Sequence, residues 1–442
     1  MRRLRPNLYW IVPVLNLAAA LALGAIIPRI DRTEDLLPAI SAASAIAMLS
    51  TIATGMIAFT GFVASQVLVA VQISGASYSP RLVGRLRSDP GFSWALGFFA
   101  GTALYSLSAL SQVAPPGLTA APVPSLTVTF AVALLVASFL VYFALLQRVR
   151  RLQVASVLRG VGDAGRAVIA RLYPDREPDG DPVETQTLPH ETLVRAWVHE
   201  GAPMVLARID GMGLARAAAA ADAIVEIRYA VGDTVPNGAA LVHGHRADDH
   251  VDPGSAIPDR ILARYIHLAD ERSIDQDPKY AIRLIVDVAI RALSPAVNDP
   301  TTAVQALDQL DDLLRRLGTR RLDVGRVSDA TGALRVVYPT PDWPDLLELA
   351  VDEIRLSGTR SLQVVRRLRA LLEDLREAIP EHRRPAVDLE LRRLDAAIPR
   401  SFDDVVDRRQ AVASDRQGLG VGDASRDSAA DDERPRGDQA GA

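Results

Sequence analysis

The chain has 442 residues, 49 of them basic and 53 acidic, a formal charge of -4 and no cysteine, so disulfides, thiolate catalysis and cysteine-ligated zinc are excluded. Residues 402–442 hold ten acids and six arginines and account for all of the net charge; the balanced remainder lacks the basic footprint of a nucleic-acid binder. Lys279 is the one lysine, in a Pro-Lys-Tyr setting that fits no Walker-type phosphate loop, Schiff-base site or prosthetic-group attachment turn.

Four apolar segments, roughly Tyr9–Ile27, Ile40–Ile73, Phe92–Ala114 and Leu126–Leu146, are each long enough to cross about 30 Å of hydrocarbon. They predict a four-helix transmembrane domain over residues 1–150, with the lipid bilayer as its partner. Arginines mass on alternate sides: Arg2, Arg3 and Arg5 before the first segment, Arg81, Arg85 and Arg87 after the second, Arg148, Arg150 and Arg151 after the fourth. Arg29 and Arg32 are diluted by Asp31, Glu34 and Asp35, and the stretch Pro115–Ser125 has no charge. Basic short loops stay inside, so a multi-pass protein of the cell (inner) membrane with both termini cytoplasmic is expected. The alternative for the first segment is a cleaved signal peptide, with Arg2–Arg5 as its n-region and Ala20–Ala22 near the cleavage site; the segment is longer than a usual h-region, and cleavage leaves the later topology unchanged.

The second segment stands apart. Its 34 residues make about 50 Å of helix, so it either projects as a stalk or bends near Gly55 and Gly61. Small residues recur at fourfold spacing, Ala43, Ala47, Thr51 and Gly55, and suit close approach of another helix. Polar groups recur as Ser50, Thr51, Thr54, Thr60, Ser65, Gln66 and Gln72, a pattern that serves either as helix-packing glue or as a wet pore lining. No charged residue lies inside the four apolar cores, which argues against a proton-coupled transporter or voltage sensor. Four helices are few for a transporter of inverted repeats, so any conduit requires several chains around it.

Residues 151–189 read as a basic amphipathic helix, Leu152–Leu172, and a Pro- and Asp-rich linker, Pro174–Pro189. Gly160-Val161-Gly162-Asp163-Ala164-Gly165 matches the dinucleotide-binding fingerprint in letters only. It lies within the helix, and the acids that follow it, Asp179, Asp181 and Glu184, fall in the linker. Residues 190–250 predict a small β domain with runs at Leu193–Val198, Met204–Ile209 and Ile224–Tyr229. Val231-Gly232-Asp233-Thr234-Val235-Pro236-Asn237-Gly238-Ala239-Ala240-Leu241 resembles the hairpin of biotinyl and lipoyl barrel-sandwich domains, which implies a barrel-sandwich-like fold. Without a lysine nearby, no prosthetic group goes with it, and no cofactor is expected. His243, His245, His250 and Asp252 carry metal-ligand chemistry, but Gly244 and the Asp-rich turn after them point to a solvated loop, and no metal is expected.

Residues 251–400 predict a mainly helical cytoplasmic domain. Asp277-Pro278 and Asp299-Pro300 each pair an N-cap with a first-turn proline, and Ser294-Pro295 ends the helix between them. The apolar face of that helix is Ile282, Ile285, Val286, Ala289, Ile290 and Leu293, and Arg283, Asp287 and Arg291 form a ladder on its polar side. The ladder serves either as a salt-bridge row or, with Arg272, Asn298 and the free amides at the Asp299 helix start, as a receptor for a small anionic ligand. Stripes follow at Val304, Leu307, Leu310, Leu314 and Leu317 and at Leu362, Val365, Leu368, Leu372 and Leu375, with a short strand at Leu334–Tyr338 between them. The tail, 401–442, is expected to be disordered, being Asp-, Arg-, Gly- and Ser-rich from about 410.

The series Gln-Asp-Pro and Ala-Leu-Ser-Pro-Ala-Val-Asn-Asp-Pro-Thr-Thr-Ala, behind membrane segments, resembles the bacterial predicted-membrane-protein family catalogued as domain of unknown function 2254, over roughly residues 8–400. The resemblance implies architecture and no catalytic residues. The residues read best as a homo-oligomeric channel or conduit gated by its cytoplasmic domain, with a membrane-anchored sensor or scaffold as the alternative. No nucleophile, metal set or paired acids argue for an enzyme.

Overall fold

The computed structural model describes residues 8–31, 40–77, 90–113, 125–150, 153–174, 193–246 and 257–419. The chain divides into two compact units, residues 1–157 and 158–442.

Among the described residues the first unit has four helices that each carry a window apolar and long enough to span a membrane, α1 (Leu8–Asp31), α2 (Ala42–Ser77), α3 (Pro90–Val113) and α4 (Leu126–Arg150). α3 is the hub, packed against α1, α2 and α4, and its window is 50% buried where that of α1 is 17%. Gly97-x-x-x-Gly101 makes this possible. A Cβ on Gly97 would clash with the Pro13 backbone of α1, and one on Gly101 would touch the Asn16 carbonyl. This close contact is intramolecular and lies on α3, not on the small-residue row of α2. Phe59 of α2 packs edge-on to Phe99 at 5.3 Å and to Tyr142 at 5.2 Å between ring centroids. Thr102 and Ser138 share a hydrogen bond of 3.1 Å between α3 and α4, and the Tyr105 hydroxyl donates to the Thr127 carbonyl at 3.0 Å. α2 is one unbroken helix of 36 residues, about 54 Å long, without a break at Gly55 or Gly61.

The second unit opens with α5 (Val154–Leu172), which begins just before the division between the units. Two of the fingerprint-like glycines are packing positions on it: a Cβ on Gly162 would meet the Gln309 side chain and one on Gly165 would press on Leu313 and Ala281, whereas Gly160 faces open space. Strands follow as β1 (Leu193–Val198), β2 (Met204–Ile209), β3 (Ala223–Ile227), β4 (Thr234–Val235) and β5 (Ala240–Arg246), with α6 (Gly211–Ala220) between β2 and β3. α7 (Asp259–Tyr265) leads into β6 (Ile266–Ala269). Later strands are β7 (Arg326–Ser328) and β8 (Leu334–Val337), the last matching the expected short strand. They form a five-stranded sheet, β1-β5-β3-β8-β7, and a three-stranded sheet, β4-β2-β6. Leu206, Ile209, Leu214, Val225, Ile227, Leu241 and Val336 share one core beneath them.

This corrects the barrel-sandwich expectation. Among the described residues the strands close no barrel, and the β region does not end at residue 250: β6 joins one sheet, and β8 enters the other by pairing parallel with β3. The turns do form, with Gly232 at φ 95 and Gly238 at φ 78, but not as a hairpin: β4 is two residues long and pairs with β2, while β5 pairs with β1 and β3 in the other sheet. A hairpin motif fixes a turn locally, whereas a parallel partner over a hundred residues away is chosen by the core.

The helical layer contains α8 (Pro278–Ala292), α9 (Pro300–Gly318), α10 (Trp343–Gly358), α11 (Leu362–Ala378) and α12 (Arg384–Ser401). α9 packs on α8 and α11, and Leu307, Leu310, Leu314 and Leu317 are wholly buried. Asp277 and Asp299 cap α8 and α9 as the sequence suggests, accepting from the amides of Tyr280 and Thr302, each with proline in the first turn.

The tail expectation is overturned as far as residue 419. Helix α13 (Val405–Val412) is capped by Asp404, and Phe402 and Ala411 are buried. Arg366 donates to the Gln410 carbonyl at 2.6 Å, Gln363 to the Gly418 carbonyl at 2.6 Å, and Arg416 pairs with Asp374 at 2.6 Å. Polar composition misleads here because the segment is anchored by charged side chains on α11 rather than by an apolar stripe of its own. Residues 420–442 lie outside those described. Deleting residues 402–442 is expected to cost about 2 kcal/mol and to lower the melting temperature by about 5 °C in a thermal-shift assay. An unchanged melting temperature would contradict the docking.

Candidate functional site

In the membrane unit most of the residues singled out on α2 lie on the side turned away from the other helices, while Ser50 and Thr60 are half-buried. Ala43, Ala47, Thr51, Thr54, Gly55, Ala58, Gly61, Ser65 and Gln66 are exposed, while Ala45, Leu49, Ile52, Met56 and Val63 are buried on the opposite side. A Cβ on Gly55 or Gly61 would meet nothing within 4 Å. The hydroxyls of Ser50, Thr51 and Thr60 donate to backbone carbonyls of their own helix, at 3.0, 2.7 and 2.6 Å, and so are satisfied without a partner helix.

In the second unit the motif residues part into three places. Arg272 and Asp277 form an ion pair of 2.5 Å with Asp277 1% exposed, directly over Gly232. Beside them, Gln276 receives the Ile209 amide at 2.8 Å and donates to the Ile209 carbonyl at 2.9 Å, completing the end of β2 as a strand would. The Arg272 guanidinium also lies 5.4 Å from the Tyr280 ring centroid. The Gly-Asp turn and the Gln-Asp-Pro motif, far apart in sequence, are thus two halves of one clamp between the β layer and α8.

Arg283 is the second place. It reaches Asp287 at 2.6 Å and forks onto Glu353 of α10, so the ladder braces α8 against α10. These two contacts hold the Arg283 guanidinium above its usual range: the Glu353 hydrogen bond leads, burial opposes it, and Asp287 adds to it. The third place is the turn into α9. Asn298 takes φ 48, with its amide on the Ser294 carbonyl at 2.9 Å, and Asp299 binds both the amide and the hydroxyl of Thr302. Arg291 lies on the exposed last turn of α8. Arg272 and Arg283 are therefore spent on carboxylates of the same chain and do not converge on one anion pocket.

A small cavity of about 40 Å³ adjoins the clamp, lined by Tyr173, Asp277, Lys279, Val324 and Tyr338 among others. It has room for a few waters and none for a nucleotide. Burial, with the charge of Asp277, pushes the Tyr173 phenol well above its ordinary value, and burial does the same for Tyr338, so both remain protonated donors at neutral pH.

His243 and His245 are not in a loop. They lie on β5, flanked by β1 and β3, and Glu226 of β3 stands opposite His243 in register. Burial raises the Glu226 carboxyl, but the His245 hydrogen bond and the charges of Arg228 and the imidazoles outweigh it and hold the group below the usual carboxylate range. Glu226 was invisible as a partner in the sequence because only strand register brings it there. His250 and Asp252 lie outside the described residues. Glu353 and Gln276 were also missed, whereas Gly97-x-x-x-Gly101 was legible as a packing motif.

The clamp is the testable centre of this geometry. Gly232→Ala places a Cβ against Asp277 and Arg272 at positive φ and is expected to cost at least about 1–2 kcal/mol. Arg272→Ala strands a buried carboxylate and should cost about 3 kcal/mol. Denaturant unfolding of both variants measures this; stability equal to wild type in Arg272→Ala would remove the clamp as a structural element.

No solved structure matches the chain. An uncharacterized protein of Mycobacterium bovis (strain ATCC BAA-935 / AF2122/97) and one of Mycobacterium tuberculosis (strain ATCC 25618 / H37Rv) are each 29% identical to it over 415 residues, 92% of this chain and 79% of theirs. The family profile described as Predicted membrane protein (DUF2254) matches residues 7–374, which include the four apolar helices, the glycine turns and the Asp-Pro motifs, and the chain belongs to that family.

Proposed function

We propose that the protein is a homo-oligomeric integral membrane protein in which α2 helices of several copies meet and line a narrow conduit, controlled by the second unit. The observation that carries this reading is the exposed side of α2. Within the candidate span Ala42–Ala70 it presents Thr54, Ser65 and the Gln66 carboxamide away from the chain's own helices. A carboxamide facing hydrocarbon is costly, and small residues beside it permit a second helix to come close, so the same side of another copy or a file of water satisfies it. The arginine alternation supports placing both ends, and with them the second unit, on the cytoplasmic side. The absence of charged residues from the apolar cores favours a passive conduit over a proton-coupled carrier.

The cysteine-free chain makes a clean test. Ser65→Cys is expected to give disulfide-linked dimers on mild oxidation in membranes, while Leu140→Cys, on the exposed apolar side of α4, is not. Liposomes holding the wild-type protein should release small ions or osmolytes faster than empty ones, and Gln66→Leu should reduce that flux severalfold. Cross-linking without any flux leaves a dry helix bundle and defeats the conduit; equal cross-linking at both positions defeats the α2 interface.

A further inference from the structure

We propose that Glu226, His243 and His245 form a binding site for one divalent transition-metal ion, zinc being the ion the donor set suits best. The sheet builds the site. Alternation on β5 puts His243 and His245 on one side, with Gly244 between them turned toward the other, opposite Val225. The antiparallel register of β3 and β5 then sets Glu226 directly across from His243 on the same side. β5 is hydrogen-bonded on both edges, to β1 and β3, so the backbone that carries the two imidazoles is held on either side.

The donor atoms already approach the spacing of a coordination shell. Oε2 of Glu226 is 3.1 Å from His245 Nε2 and 3.5 Å from His243 Nδ1, and all three donors lie within 4.8 Å of one another. Around a tetrahedral zinc with bonds of about 2.0–2.2 Å, neighbouring donors stand roughly 3.3–3.5 Å apart. The carboxylate therefore needs almost no movement, and the two imidazoles close on the ion by small rotations. Their rings are not stacked, with centroids 6.3 Å apart and planes at 69°, which leaves space between them.

The surroundings fit as well. Arg228 binds the other carboxylate oxygen, Oε1, at 3.3 Å and leaves Oε2 to the ion. Without the ion, the Glu226 carboxylate accepts from His245 Nε2 and so holds the ring proton there; His245 Nδ1 has no hydrogen-bond partner among the described residues, and when the ion takes Nε2 the ring is in the tautomer protonated at Nδ1. Side-chain exposures of 20% for Glu226 and 22% for His243 allow entry and leave a position for water. Two imidazoles and one carboxylate select a first-row transition ion over magnesium or calcium, which take oxygen donors.

The test uses the full chain in detergent, without a polyhistidine tag and stripped of metal. Calorimetric titration with zinc should give one tight site per chain, magnesium none, and cobalt should produce visible ligand-field bands. His243→Ala and Glu226→Gln should each weaken zinc at least tenfold and abolish the zinc-induced rise in melting temperature. Glu226→Gln preserves size and one acceptor oxygen while removing the charge, so it decides the matter if His243→Ala fails to fold. No zinc binding by the wild type, or undiminished binding by Glu226→Gln, overturns the site and leaves the three residues as a hydrogen-bonded trio.

Discussion

A buried carboxylate must have each oxygen met by a donor, and in the second unit Asp277 meets that demand by joining two layers. One oxygen accepts the Tyr280 amide and so starts α8; the other accepts Arg272 beneath the Gly232 turn. The Gly232 turn, the loop before α8 and the helix itself are then positioned by one charged group. A residue larger than glycine at 232 would occupy the space of the ion pair, which is why a turn motif and a helix-cap motif depend on one another.

The same physics repeats through the helical layer and explains why arginine almost replaces lysine. Arg367 spans Asp308 and Asp311 of α9 at 2.8 and 3.0 Å, and Arg383 donates to the carbonyls of Leu317 and Arg320 at the end of that helix. Arg320 reaches back to the Tyr173 carbonyl at 2.6 Å. A planar guanidinium can satisfy two acceptors in fixed directions while its stem lies against apolar neighbours; a lysine ammonium cannot fork in this way. Arg366, Arg367, Arg369 and Arg383 are accordingly buried, and the segment 402–419 is held by two arginines, Arg366 and Arg416.

The membrane unit obeys a different rule, since burial from water does not distinguish helix–helix contact from lipid contact. Close approach decides instead. Gly97 and Gly101 bring α1 onto α3, and the Thr102–Ser138 bond joins α3 to α4. α2 contributes its apolar side to that bundle and keeps its small and polar side outward, and the proposed assembly rests on that asymmetry.

The sequence alone determined the elements whose cause is local. Apolar length set the four membrane helices, Asp-Pro pairs set the starts of α8 and α9, leucine stripes set the sides that α9 and α11 bury, and glycines set the turns at 232 and 238. Only the tertiary structure decided which of these meet. It placed β8 beside β3, Glu226 beside the two histidines, Glu353 beside Arg283, and residues 402–419 against α11. The reason is that caps, turns and periodicity act within a few residues, whereas strand register and buried ion pairs are chosen by the whole core, across separations that leave no periodic trace in the chain.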